Sequence, residues 1–257
     1  MCCLVIFGGQ FVIHRGERRD QLRGARGGVW RTTLHLGGCR GSPHGQHSVR
    51  LLHLFRPRNA CCASWRCLHF SPCGAFLATG GDDKQLKLWS TKDWSCYRSQ
   101  ELAKKATAVC VSQDSATVVA SDKFGEVVTL ATSPAAEGAT AKFLLGHMSL
   151  VTSMVLVEGD QYVVTADRDE HVRVSHFPDA YDIHTVLLGH KVFVTAVAAS
   201  TGRKGLVVSG DGKGEIRVWR YTDSVEVACT QVTAVDGVSE AVILSMGLSH
   251  NLSLIHI

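Results

Sequence analysis

The 257-residue chain has no Cys-x-x-Cys pair, no run of about 20 consecutive apolar residues, and no lysine among its first 58 positions. Each absence removes a class of protein. Without paired Cys-x-x-Cys ligands a zinc knuckle has no scaffold. Without a long apolar run no helix of the chain can cross a bilayer. The short apolar stretch near the start, CCLVIF, has no charged leader before it and no small-residue cleavage site after it, so it does not read as a secretory signal. The ten cysteines then read as reduced thiols of an intracellular chain, not as a disulfide framework. A net charge of only +4, from 27 basic and 23 acidic residues, argues against nucleic-acid binding through summed charge.

The apolar fraction, 45%, is that of a globular protein, but the charge is unevenly spread. Positions 1–58 carry ten arginines against Glu17 and Asp20 as the only acids. This Arg-rich extension reads as disordered or foreign to the rest of the chain. Contact with RNA phosphates and an organelle-type presequence are the alternatives. His44 and His47 form an H-x-x-H pair with no second ligand pair at zinc-site spacing, so no metal is expected.

Beyond position 58 the chain repeats. The segments TGGDDKQLKLWS, ASDKFGEVVTLA, TADRDEHVRVSH and SGDGKGEIRVWR align on Trp89, Leu130, Ser175 and Trp219, at intervals of 41, 45 and 44 residues. That period fits four-stranded propeller blades of about 40–45 residues. Gly146-His147 and Gly189-His190 open two of the units. A strand, a polar turn, a second apolar strand (QYVVTA, GLVVSG), a charged or Gly-rich turn and a third strand (HVRVS, EIRVW) follow. Ser71-Pro72-Cys73-Gly74 supplies the equivalent turn of the first unit.

This grammar resembles the WD-repeat β-propeller family, whose blades are braced by a hydrogen-bonded set of His, Ser/Thr, Asp and Trp. The resemblance predicts an all-β chain with units over 60–99, 106–133, 145–178 and 188–222 in a domain spanning 59–240. Residues 241–257 would open a further blade. Carried over by position, the set is incomplete everywhere. The fourth unit has His190 and Trp219, but Lys213 at the expected place of the acid. The third has His147 and Asp169, with Ser175 for Trp. The first has Asp83 and Trp89 but no Gly-His. Four units of an expected seven make the propeller incomplete, so the chain reads as a fragment with exposed sheet edges.

The stretch TADRDEHVRVSHFPDAYDIHTVLLGHKVFVTAV narrows the resemblance. Asp167-Arg168-Asp169-Glu170, Arg173, Ser175, Phe177-Pro178, Leu188-Gly189-His190 and Phe193-Val194 are similar to the non-catalytic WD-repeat subunit of the tRNA (guanine-N7)-methyltransferase complex, the Wuho-type family. That resemblance implies a nuclear binding subunit with no catalytic group, cofactor or metal of its own. It would hold a methyltransferase that uses S-adenosylmethionine to form N7-methylguanosine in tRNA. The hairpin from Asp167 to Arg173 would face this partner, with Arg173 and Glu170 forming ion pairs and Arg168, Asp169 and His171 contributing. A generic WD-repeat scaffold is the alternative.

The residues themselves allow the same use. A turn carrying both signs of charge suits a partner patterned with both, and Arg grips a carboxylate with two prongs. Alternation in HVRVS puts Arg173 on the face opposite Val172 and Val174. The competing reading is a solvated hairpin tip whose internal pairs contribute at most about 1 kcal/mol. Gly210, Gly212 and Gly214 around Lys213 are not a phosphate loop, because a strand and not a helix follows. No nucleophile-base pair stands out, which argues against an enzyme acting alone.

Overall fold

The computed structural model describes residues 2–7, 10–15, 65–133, 140–199, 204–232, 242–243 and 246. The chain divides into two units, Met1–Gly16 with Ser64–Ile257, and Glu17–Ala63. The second lies outside the described residues, and with it His44, His47 and most of the Arg-rich segment. Of that segment, β1 (Cys2–Phe7) and β2 (Gln10–Arg15) pair as an antiparallel hairpin.

The remaining strands build four antiparallel sheets of four strands, each formed by consecutive strands. Blade 1 holds β3 (Trp65–Phe70), β4 (Phe76–Gly81), β5 (Gln85–Ser90) and β6 (Cys96–Glu101). Blade 2 holds β7 (Ala106–Val111), β8 (Thr117–Asp122), β9 (Glu126–Ala131) and β10 (Lys142–Gly146). β11 (Val151–Val157), β12 (Tyr162–Asp167), β13 (Val172–His176) and β14 (Ile183–Leu187) form blade 3. β15 (Val194–Ala199), β16 (Leu206–Asp211), β17 (Glu215–Arg220) and β18 (Val225–Gln231) form blade 4. The fold is all-β with four sheets as the repeat implies, but the second and third sheets run to Gly146 and Leu187, past the expected ends at 133 and 178, because each takes a fourth strand that the repeat alignment leaves out. Among the described residues no helix is long and apolar enough to cross a membrane.

The first strands β3, β7, β11 and β15 lie side by side from blade to blade. A blade therefore buries both faces of its inner strands. That explains why TVVASD, YVVTAD and LVVSGD run apolar without alternating: five of six residues are buried in each. The outer strands β6 and β18 are largely exposed and carry polar residues. The core is a series of seams. Leu86 and Leu88 of blade 1 meet Ala106 and Val118 of blade 2. Val119 and Val127 meet Val151 and Met154. Val172 and Val174 meet Val194, Val207 and Trp219.

Close approach at a seam needs glycine. A Cβ at Gly80 would run into Ala106 of the next blade, and one at Gly210 into Ile243. Ile243 is buried and donates its amide to the Asp211 carbonyl at 3.2 Å, so it stands against blade 4 as Ala106 stands against blade 1. Most of the segment read as the opening of a further blade lies outside the described residues.

Candidate partner-binding site

Three second strands end in aspartate: Asp122 in β8, Asp167 in β12 and Asp211 in β16. In each, Oδ1 accepts the backbone N–H groups two and four residues on. These come from Phe124 and Glu126 (2.8 and 3.1 Å), Asp169 and His171 (2.9 and 3.1 Å), and Lys213 and Glu215 (2.9 Å each). A short acid thus caps the turn that its own strand enters.

The same turn takes one residue into the left-handed region. It is Gly125 (φ 87°) in blade 2 and Gly214 (85°) in blade 4, but Glu170 (71°) in blade 3. A side chain is strained there where glycine is not. Glu170→Gly is expected to raise stability by about 0.5–1 kcal/mol, measured as a higher denaturant midpoint with an unchanged slope. An unshifted midpoint would show that the turn carries no such strain.

Blade 4 has a complete brace. Trp219 Nε1 donates to Ser209 Oγ (2.7 Å), Ser209 Oγ lies 2.7 Å from His190 Nε2, and His190 Nδ1 lies 3.2 Å from Asp211 Oδ2. A neutral imidazole, donating at Nδ1 and accepting at Nε2, completes this chain. Burial pushes the His190 pKa down, against the upward pull of Asp211. The acid of this blade is Asp211, which corrects the expectation of Lys213. Only a carboxylate at the strand's end can reach the turn amides and the imidazole together. His190, Asp211 and Glu215 place ligand-type atoms within 4.8 Å of one another. Those atoms hold the brace instead, with Glu215 also bonded to Arg217.

Blade 3 keeps three of the four residues of that set and lacks the Trp. His147 Nδ1 lies 3.1 Å from Asp167 Oδ2, and Nε2 lies 2.8 Å from Thr165 Oγ1. Asp167, at 5% exposure, is therefore the acid, not Asp169, and it is buried away from any partner. Burial alone would raise its pKa, but hydrogen bonds to His147 and the His171 backbone outweigh that and hold it below the usual value. Ser175 takes the Trp position, and its buried Oγ has no partner among the described residues. In blade 1 Trp89 Nε1 donates to Thr79 Oγ1 at 2.9 Å. Asp83, expected in that brace, lies in the turn past the end of β4. It accepts from Gln85 N and pairs with Lys87 at 2.7 Å.

Of the six expected partner-facing residues, Arg168, Asp169, Glu170 and His171 crowd the exposed hairpin tip, Asp167 is buried, and Arg173 is half-buried. Val172 and Val174 point into the seam with blade 4, so Arg173 does lie on the opposite face. Its Nη1 donates to the Gly146 carbonyl of β10 at 3.1 Å.

Strand register places Lys87, Arg173 and Arg217 at one position, each opposite the hydroxyl residue of its blade: Thr79, Thr165 and Ser209. Lys87 has Asp83. Arg217 pairs with Glu215 and Glu226 and lies over the Trp219 ring, 5.9 Å from its centroid. Arg173 has no carboxylate within 4.0 Å among the described residues, no aromatic ring at position 175, and a buried Nε without a partner. Burial lowers its pKa, opposed by the Asp167 charge. In Arg217 the carboxylates overcome burial and raise it. Arg173 is thus a guanidinium held at one end, partly desolvated and short of an anion.

Four-stranded antiparallel blades in series, one of them braced through the full set of His, Ser, Asp and Trp, have the WD-repeat fold. Accordingly, residues 58–90 match the family model described as WD domain, G-beta repeat. Within that class the chain is similar to the non-catalytic subunits of tRNA (guanine-N7)-methyltransferase. Residues 135–242, which hold Arg173 and both His braces, match the model of the tRNA methyltransferase TRM82 WD40 domain. The human non-catalytic subunit WDR4 is 30% identical over 165 residues, 64% of this chain and 40% of its own. The wuho subunit of Drosophila yakuba is 34% identical over 167 residues, 62% of this chain and 37% of its own. The TRM82 subunit of Vanderwaltozyma polyspora is 33% identical over 156 residues, 56% of this chain and 34% of its own. The chain spans about two fifths of the length of the curated relatives it matches.

Proposed function

We propose that this chain is a non-catalytic docking subunit for a tRNA (guanine-N7)-methyltransferase. It binds and stabilises the catalytic subunit, which holds S-adenosylmethionine and forms N7-methylguanosine in tRNA, in the nucleus. The observation that carries the reading is Arg173, the one basic residue of three equivalents without a carboxylate within 4.0 Å among the described residues. An acid on a partner would complete the pair that Glu215 and Glu226 complete for Arg217. An interface gains most in specificity from such a desolvated charge.

The test is co-purification of the chain with the catalytic subunit of such an enzyme, followed by methylation of tRNA with and without the chain. Capture and a chain-dependent rise in activity are expected. Capture only of unrelated proteins would favour a generic WD-repeat scaffold, and methylation without the catalytic subunit would favour an enzyme.

Ser175→Trp restores the missing indole beside Thr165 and covers Arg173. Because Ser175 is fully buried, the substitution is expected to cost about 1–3 kcal/mol of stability while weakening partner binding at least about tenfold. Stability follows from thermal unfolding and binding from calorimetry, and unweakened binding would show that the interface lies elsewhere.

A further inference from the structure

Blade 2 is the reverse case of blade 3. In blade 4 two acids, Asp211 and Glu215, face two nitrogen bases, His190 and Arg217. Blade 2 keeps both acids, as Asp122 and Glu126, in the same turn geometry. It has lost both bases. Register puts Val128 opposite Ala120, where Arg217 lies opposite Ser209. Leu102 stands at the histidine position, since its amide donates to the Lys84 carbonyl (2.8 Å) as that of His147 donates to the Gly125 carbonyl (2.9 Å). A cavity of about 190 Å³ opens at this place, lined by Leu102, Asp122, Glu126 and Val128, with Glu101 beside them.

Asp122 is 4% exposed, and its Oδ2, which in blades 3 and 4 faces a histidine Nδ1 at 3.1 and 3.2 Å, accepts no hydrogen bond among the described residues. Neither it nor Glu101 nor Glu126 forms an ion pair there. The three acids do not bring ligand atoms within 4.8 Å of one another, so they do not converge on a metal ion. The space is below the roughly 300 Å³ of small-molecule pockets and suits a single long side chain.

We infer that this cavity is a socket for a basic side chain, Arg or Lys, of the protein that docks at Arg173; the identity of that partner rests on the reading above. Glu126 and Gly146 are cross-strand neighbours in the β9–β10 ladder, and the Gly146 carbonyl holds Arg173. One partner surface crossing the rim of blade 2 therefore meets an acidic socket on one side and a free guanidinium on the other. Guanidinium fits the socket because it donates in a plane to two carboxylates.

The test titrates the full ¹⁵N-labelled chain with N-acetyl-arginine amide, N-acetyl-citrulline amide and spermidine, without any partner protein. Arginine is expected to shift the amides of Leu102, Glu126 and Val128, with citrulline, of the same shape but neutral, inert. Glu126→Gln should weaken arginine binding about tenfold. The double variant Leu102→His/Val128→Arg, which places the basic residues of blade 4 in blade 2, should abolish it while the dispersed amide spectrum of the folded chain is kept, at a lower melting midpoint because Leu102 leaves the core. Equal shifts from citrulline, shifts elsewhere, or tighter binding of spermidine than of arginine would overturn the socket. An unchanged affinity of Glu126→Gln for the methyltransferase subunit would overturn the partner assignment. Because the titration needs neither Arg173 nor the partner, its failure leaves the docking role standing, and failure of that role leaves the socket standing.

Discussion

On the proposed docking role, Arg173→Glu is expected to abolish binding of the methyltransferase subunit while leaving blade 3 folded. The wild-type guanidinium is partly desolvated before any partner arrives, and its Nε has no bond among the described residues. Reversing the charge removes a charge-assisted pair and sets two carboxylates against each other. At interfaces the loss of such a pair costs about 2–5 kcal/mol, a rise in Kd of roughly 30-fold or more. Within the chain the substitution removes one hydrogen bond, to Gly146, and brings an acid toward Asp167. A loss of about 1 kcal/mol in stability is therefore expected. Arg173→Gln separates the effects, since it carries no repulsion and should weaken binding less than Glu does. Calorimetry of the purified pair, with melting curves of each variant, decides it. Wild-type affinity of a folded Arg173→Glu chain would remove the interface from this strand.

Asp211→Ala is expected to have the largest effect on stability, about 3 kcal/mol or more. It removes the acceptor of two turn amides and leaves the buried His190 Nδ1 without its main partner. Blade 4 should unfold at lower denaturant, and because its seam with blade 3 is buried through Trp219 and Val174, blade 3 should follow. The same brace sets a pH dependence. Burial holds the His190 pKa below its ordinary value of about 6.5, so between the two values the unfolded chain binds a proton that the folded chain does not. The stability contributed by the neutral imidazole is full above pH 6.5 and falls as pH drops toward the folded value. The slope is at most about 1.4 kcal/mol per pH unit. His190→Gln, less stable at pH 7, should show a shallower decline from pH 7 to pH 5. Parallel declines would mean that His190 is not the responsible group.

The repeat, the strand order and the side of the sheet that Arg173 occupies were legible in the sequence. A period of 41–45 residues and two-residue alternation are properties of the chain alone. The acids of the braces were not. Asp167 and Asp211 were passed over for Asp169 and Lys213 because family spacing was counted into the turn. The carboxylate has to sit at the end of β12 or β16 to reach turn amides and histidine at once. A signal was there: aspartate recurs immediately before the turn at 122, 167 and 211. Blade 2 was the poorest unit by motif, since Leu102, Ala120 and Leu130 replace the His, hydroxyl and Trp residues. It nonetheless folds as the others do, because its seams bury Val118, Val119, Ala120 and Val127 completely. Packing outweighs the polar brace there.

By itself the sequence determined an all-β chain of four WD-type blades and the placement of Arg173 on the face away from the valines. Periodicity acts locally, through sterics and the alternation of side chains along a strand. Only the tertiary structure decided which charges are free. Asp167 looked available and is bound to His147, Asp83 looked like a brace and is paired with Lys87, and the half-buried Arg173 and the buried Asp122 have no counter-charge within 4.0 Å among the described residues. The His147–Asp167 pair joins residues 20 positions apart and Asp83–Lys87 residues four apart, and each forms only because the side chains meet within about 4 Å. Proximity on that scale is set by how strands register and blades stack, not by the order of residues along the chain.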